Sequence, residues 1–303
     1  MELLVASDLS HPPAPALEVA VDVADHFDAS LKLVHAPYPI PFEVPEVGMT
    51  RRVSSSARET VEADLRRRVR ELELQREPEA VVVPTKRPHE AVLREAAKRP
   101  SALIVVGSEQ RTGWRRFIAR PSVAMQVLDR ATRPVLVVPD EGATKLRSGA
   151  RVLAAVDLGA GSARVLDTAA AWARSLGGSL DVIHVSGVAV GAFGMPRPGY
   201  WIMRSARHAK RWLAEATAHI AGSDLEITTC VRPAFSPGRA VLQRANRRGA
   251  DLIVVGARRR GTLVRRWLGS PTSTILRRSN VPVLGIPVPS GPEREASFHE
   301  DTY

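Results

Sequence analysis

Apolar positions along this chain fall into two alternating patterns. Short, mostly apolar runs at 3–6, 31–35, 80–83, 103–106 and 135–138 are rich in valine, isoleucine and leucine. Between them lie segments at 16–27, 90–98 and 122–130 whose apolar residues recur every three or four positions. The runs predict strands and the periodic segments predict helices. A stretch bearing Pro37, Pro39, Pro41 and Pro45 predicts a loop, and the charged segment near 54–76 a further helix. Strands that are apolar throughout, instead of at every second position, belong to a parallel sheet covered on both faces.

The pattern then repeats at a fixed offset. Asp8 and Asp157 each end an apolar run and stand 149 residues apart, as do His35 and His184, Pro84 and Pro233, Pro88 and Pro237, and Gly107 and Gly256. Pro134 and Pro282 differ by 148, so the first copy carries one extra residue after Gly107. Five coincidences of one offset specify a duplication. The predicted organisation is a domain at 1–140, a small polar linker at 141–150, a second domain at 151–288 and a disordered tail at 289–303. Each domain is predicted to be a doubly wound, five-stranded parallel-sheet α/β unit of Rossmann-like type.

Composition narrows the function classes. An apolar fraction of 44% and a charged fraction of 25% are those of a soluble globular protein. No apolar run approaches the roughly 20 residues that span a bilayer, and the first residues, MELLVASDLS, do not read as a signal peptide. Cys230 is the single cysteine, which excludes an internal disulfide and suits a reducing, cytoplasmic home. In the run TTCV it is expected to be buried and inert. The formal charge of +11 raises the question of nucleic acid. However, the basic groups are spread over several helices, and aromatic residues make up only 5%, which argues against it. An attraction to smaller anions, nucleotides or acidic partners remains.

In an open doubly wound sheet, ligands sit at the carboxyl ends of strands near the switch point. Asp8, Ala36 and Gly107 occupy those ends in the first copy, and Asp157, Val185 and Gly256 in the second. Gly256 is expected to let the chain leave its strand with unusual dihedrals and to let backbone N–H groups approach phosphate. Gly269-Ser270-Pro271-Thr272 opens a helix, with Ser270 as N-cap and Pro271 at the first position. Free N–H groups and the helix dipole there favour an anion. Arg258, Arg259 and Arg260 add charge-assisted donors. No metal-ligand spacing, nucleophile elbow or phosphate-loop lysine occurs.

A strand ending in Asp, a second ending in His-Val, LIVVG before a long loop, Gly-Ser opening a helix and PVLGIPV together resemble the universal stress protein family. The resemblance covers nearly the whole chain as two tandem copies. It implies five-stranded α/β domains whose last strands pair, here joining the two halves as an intramolecular pseudo-dimer or joining two chains as a homodimer. It also implies ATP binding, with magnesium able to accompany it, through G-x2-G-x9-G-[ST]. In the second copy that motif is Gly256, Ala257, Arg258, then Arg259 in place of glycine, nine residues, and Gly269-Ser270. Arg259 either fills the pocket or swings outward to clamp the γ-phosphate. Asp157 carries over to the position near adenine and ribose, although a turn or cap would explain an Asp there equally. Ala155 and Val185 at neighbouring strand ends, with Pro271 and Thr272 at the helix start, complete the candidate set.

The first copy keeps Gly107, adds Glu109, and has Pro121-Ser122 where Gly-Ser would stand. Proline removes a donor where phosphate needs one, so this copy is expected to be degenerate. His35 and His184 next to Asp8 and Asp157 suggest a catalytic pair, but strand-end packing is the simpler account, and no enzyme is expected. Trp201, Ile202, Trp212 and Leu213 on the helix near 200–220 read as packing residues. The glycine-rich loop before it, with Phe193 and Met195, reads as a flap. The expected role is that of a nucleotide-dependent regulatory module read by an unidentified protein partner. The competing role is a nucleotide-free interaction scaffold.

Overall fold

The computed structural model describes residues 1–7, 15–36, 63, 67, 78–100, 102–108, 122–142, 145–187, 199–222, 224–258 and 271–288. The first half contributes β1 (Glu2–Ser7), α1 (Pro15–Phe27), β2 (Ser30–His35), β3 (Glu79–Val82), α2 (Pro88–Ala97), β4 (Ala102–Ser108), α3 (Val123–Arg130) and β5 (Val135–Pro139). The second contributes β6 (Arg151–Val156), α4 (Ser162–Ser175), β7 (Ser179–Gly187), α5 (Gly199–Ala218), β8 (Ile227–Ala234), α6 (Pro237–Arg248), β9 (Leu252–Arg258), α7 (Pro271–Arg278) and β10 (Val283–Val288). The expected charged helix near 54–76 lies outside the described residues, apart from Ala63 and Arg67, which are helical. The tail at 289–303 and the flap with Phe193 and Met195 also lie outside them.

All ten strands form one sheet in the order β3-β2-β1-β4-β5-β10-β9-β6-β7-β8. Within each half the strands are parallel, as the continuous apolar runs required; β4 is buried at six of its seven positions. The halves meet through β5 and β10, which pair antiparallel with Leu136 opposite Leu284. Each of these strands is paired on both sides. The alternative of a homodimer through the last strands therefore finds no free edge in this arrangement.

Proline sets the starts of four helices: Pro15, Pro88, Pro237 and Pro271 are each the first residue of their helix. The missing N–H is one that the first turn could not use, and φ is already helical. Helices α1, α4 and α5 cover one face of the sheet, while α2, α3, α6 and α7 cover the other. Each layer of core runs through both halves without a break: Val5, Leu136, Leu284 and Val254 share one, and Val106, Val137, Val283 and Val255 the other. Phe27 of α1 meets Trp172 of α4 with ring centroids 4.8 Å apart, tying the halves on the first face.

The connector expected to be a small polar linker packs onto the core. Leu146 is buried, and the Gly149 amide donates to the Leu176 carbonyl at 2.7 Å. Gly178 follows that turn so closely that a methyl group there would overlap the Ala150 carbonyl oxygen. Cys230, expected to be buried, is half-buried instead, because β8 is the last strand of the sheet. Replacing Gly178 by Ala is expected to lower stability by about 1–3 kcal/mol, the usual cost of forcing a methyl into packed atoms. A urea midpoint that falls at an unchanged slope would bear this out, whereas an unchanged midpoint would mean that the connector is not clamped.

Candidate functional site

The sheet opens at one place in the second half. The ladder between β6 and β9 ends at Ala155 opposite Val255, whereas β9 continues beside β10 as far as Arg258 opposite Val288. On the other side, β6 pairs with β7 through Val156 and His184, and β7 with β8 through Gly187 and Ala234. The carboxyl ends of β6 and β9 thus part while their outer neighbours stay attached. This is the crevice that the strand order 3-2-1-4-5 produces at its switch point.

Asp157 stands at its lip, directly after β6. Its Oδ1 accepts the Gly159 amide at 2.9 Å and the Ser162 hydroxyl at 3.1 Å. The carboxylate thereby folds the β6–α4 turn and fastens it to the first residue of α4. Leu158, inside that turn, has φ of +63°, an uncommon conformation for a side chain that leans on the core. Gly161 comes next, and a Cβ there would stand 2.5 Å from Val288 Cγ1, so the end of β10 closes over the start of α4. Ser162, Leu158 and the contact of Gly161 with Val288 were not singled out in the sequence. The legible signal was Asp157 and Ser162 five residues apart at a strand–helix junction.

On the other face, Ala155 and Val185 are half-buried at the ends of β6 and β7, next to buried Val255 and Ala257. They leave part of their apolar surface open at this end of the sheet. Helix α7 begins at Pro271, as the sequence predicted, and the Thr272 hydroxyl donates to the Gly256 carbonyl at 3.3 Å. The hydrogen bond draws the start of α7 to the end of β9. The structure thus brings Ala155, Asp157, Val185, Gly256, Pro271 and Thr272 to one end of the sheet. Arg258 is the last residue of β9, while Arg259, Gly269 and Ser270 lie outside the described residues.

Gly256 corrects an expectation. It does not release the chain with unusual dihedrals; it stays in β9, opposite Ile286, and has no positive φ. A Cβ at this position would make ordinary contacts of 3.6 Å with Val165 and Val288. The strand extends two residues past the glycine because β10 offers it a full ladder.

His184 is held by the backbone. Its Nδ1–H donates to the Val156 carbonyl at 2.9 Å, which leaves Nε2 as the acceptor. Burial pushes its pKa below the usual histidine value, with that hydrogen bond and the Asp157 carboxylate acting in the opposite sense. The pairing is with the main chain at a strand end, as in the packing account of this residue.

In the first half, β1 and β4 also part, after Ala6 opposite Val106, while β4 and β5 continue to Ser108 opposite Pro139. The Ser122 side chain accepts the Met125 amide at 3.3 Å and caps α3 itself. A separate concavity of about 250 Å³ lies at the junction of the halves, lined in part by Met1, Arg133, Pro134, Arg164 and Trp172. It is not part of the crevice at the ends of β6 and β9. Among the described residues, no group of three or more His, Cys, Asp or Glu could hold a metal, and no helix is long and apolar enough to cross a membrane.

The model of the universal stress protein family matches residues 1–139 and 150–287. The chain belongs to that family, in tandem form. A universal stress protein from Archaeoglobus fulgidus has the same fold, with a TM-score of 0.68 and 21% identity over 94% of this chain and 96% of that one. A protein of unknown function from Pseudomonas aeruginosa superposes with a TM-score of 0.61 and 17% identity over 94% and 92% of the two chains. These likenesses concern the fold alone. Comparison with curated proteins returned no match.

The His184 geometry has a consequence for stability. In the unfolded chain this group takes up its proton near 6.5, but in the folded chain only at lower pH. Its contribution is therefore complete above that value and is lost as the pH falls through the folded pKa. His89, also held low by burial, acts with the same sign. Urea midpoints are expected to fall between pH 7.5 and 5.5, and the fall should be shallower in His184→Asn. An identical pH dependence in the variant would contradict the assignment.

Proposed function

We propose that the second half, taken as residues 151–288, binds an adenine nucleotide, with ATP as the reference ligand, and that the chain is a regulatory module and not an enzyme. The observation that carries this reading is the parting of β6 and β9 between a half-open apolar surface and a helix start. Ala155 and Val185 offer a flat base its apolar contact, and Asp157 stands where a ribose hydroxyl would follow. The first turn of α7, with amides that no earlier turn can satisfy, faces the same end of the sheet and suits phosphate. In the sequence, arginines at 258 and 259 follow closely on Gly256, and guanidinium groups pair readily with phosphate oxygens. Magnesium would travel with the triphosphate, its usual mode of binding being through phosphate oxygens and water.

Binding would join the end of β9 to the start of α7 more firmly than the single Thr272–Gly256 hydrogen bond does. A nucleotide that binds the joined form better shifts the population toward it, and a protein partner can read the altered surface. The same chemistry argues against the first half. There Pro121 removes a donor and Glu109 adds negative charge. A chain with one cysteine suits the reducing cytoplasm for such a role.

Arg259 in place of glycine favours the second reading, a nucleotide-free interaction scaffold. Thermal unfolding separates the two. A ligand at about 100 times its Kd adds about 2.7 kcal/mol, which in a chain of this size raises Tm by several degrees. The nucleotide reading requires that rise with millimolar Mg-ATP and its loss in Gly269→Trp. No shift in the unaltered protein would leave the scaffold.

A further inference from the structure

The two copies carry buried ion pairs of opposite polarity at equivalent places. Lys32 on β2 and Asp181 on β7 stand 149 residues apart, the offset of the duplication, and so do Glu95 on α2 and Arg244 on α6. In the first half, Lys32 Nζ lies 3.7 Å from Glu95 Oε2 and donates to Glu79 Oε1 at 2.8 Å. In the second half, Arg244 donates to both oxygens of Asp181 at 2.8 Å, and Arg248 Nε lies 3.4 Å from Asp181 Oδ2. Lys32, Glu95 and Asp181 are each no more than 5% exposed. At a third position only one member changes sign, because its partner is arginine in both halves. Glu2 pairs with Arg99 at 2.6 Å, whereas Arg151, its equivalent, gives its guanidinium to the carbonyl of Arg248, the equivalent of Arg99.

All three contacts cross the same boundary. Glu2 and Lys32 belong to the unit β1–α1–β2, and Glu95 and Arg99 to the unit that runs from β3 to β5. These units are joined by the longest connection of the half, from His35 to Glu79. The second half divides in the same way, with Arg151 and Asp181 in β6–α4–β7 and Arg244 and Arg248 in the following unit. A duplicated chain with such connections has an obvious wrong assembly, in which the first unit of one half joins the second unit of the other. Exchange of this kind, within one chain or between two copies of it, is the characteristic failure of repeat proteins.

We infer that the inverted pairs form a lock that admits the second unit of either half only to a first unit of the same half's kind, and so blocks crossed assembly within one chain or between two copies of it. In one crossed form, Lys32 would face Arg244 and Arg248. In the other, Asp181 would face Glu95 and Glu79. Each crossed form therefore buries like charges, whereas each proper form buries opposite ones. Discrimination comes from the penalty on the wrong partner, since a buried ion pair is weak evidence for stability in itself. Two copies with the same polarity would fold equally well and lack the discrimination.

The test gives both halves one polarity. Asp181→Lys with Arg244→Glu gives the second half's pair the polarity of the first, and the carboxylate introduced on α6 would then have Arg248 one turn away as a further partner. The full-length variant and the unaltered protein are refolded from urea at increasing chain concentration, and native monomer is measured by size exclusion. The expected result is a denaturation midpoint close to that of the unaltered protein, with monomer recovery reduced by about threefold or more at the highest concentration. Equal recovery at every concentration overturns the inference. If the reversed pair prevents folding, Lys32→Met and Glu95→Leu together with Asp181→Leu and Arg244→Leu remove the charges of both pairs. The same loss of recovery supports the lock, and unchanged recovery overturns it.

Discussion

The antiparallel junction of β5 and β10 governs the rest of the molecule. Five parallel strands leave an edge beyond β5 and another beyond β10, and each is nearly all apolar. Pairing Val135, Leu136 and Val137 with Gly285, Leu284 and Val283 removes both edges at once. It also lets a core layer continue across the boundary on either face. Leu128 of the first half reaches Gly285 of the second so closely that a side chain there would collide with it. Because the junction is antiparallel and each half is parallel, the carboxyl ends of the two halves point in opposite directions. The two crevices therefore lie at opposite ends of the sheet, and neither can obstruct the other.

That separation makes functional divergence straightforward. Both halves have strands that part at the switch point, since the parting follows from strand order. What differs is local chemistry. In the first half Pro121 stands where the second has Gly269, and proline has no amide to offer. In the second, Thr272 turns its hydroxyl to the Gly256 carbonyl, and the β6–α4 turn is fastened by Asp157 and Ser162. One half can thus serve as a structural partner whose junction strand completes the sheet of the other.

Much of the fold was legible because parallel sheets write themselves plainly. Runs such as LIVVG are apolar on both faces of the strand, and prolines at 15, 88, 237 and 271 mark helix starts. The duplication offset extended the reading to both halves, and the family signature named the junction strands. The parts that escaped depend on neighbours distant in sequence. Gly256 reads as a strand end, but the ladder with β10 holds it in β9. The connector reads as loose, yet Leu146 finds a place in the core. Cys230 reads as buried, but only the strand order shows that β8 lies at the edge. The inverted ion pairs could have been found by aligning the copies for charge, although nothing in the sequence showed that Lys32 and Asp181 are buried. Of the candidate site, the strand ends and the helix start were readable from spacing. The role of Val288 was not, because it arises from packing between the ends of β10 and α4, and nor was the positive φ of Leu158 inside the Asp157 turn.

One sheet carries two crevices, and the proposed function requires that only the second receive a nucleotide. Amide hydrogen exchange on the full-length protein, with and without Mg-ATP, tests this most directly. The nucleotide should slow exchange at the carboxyl ends of β6 and β9 and in the first turns of α4 and α7, and leave β1, β4 and α3 unchanged. Slowing in the first half, or in neither half at millimolar nucleotide, would contradict it.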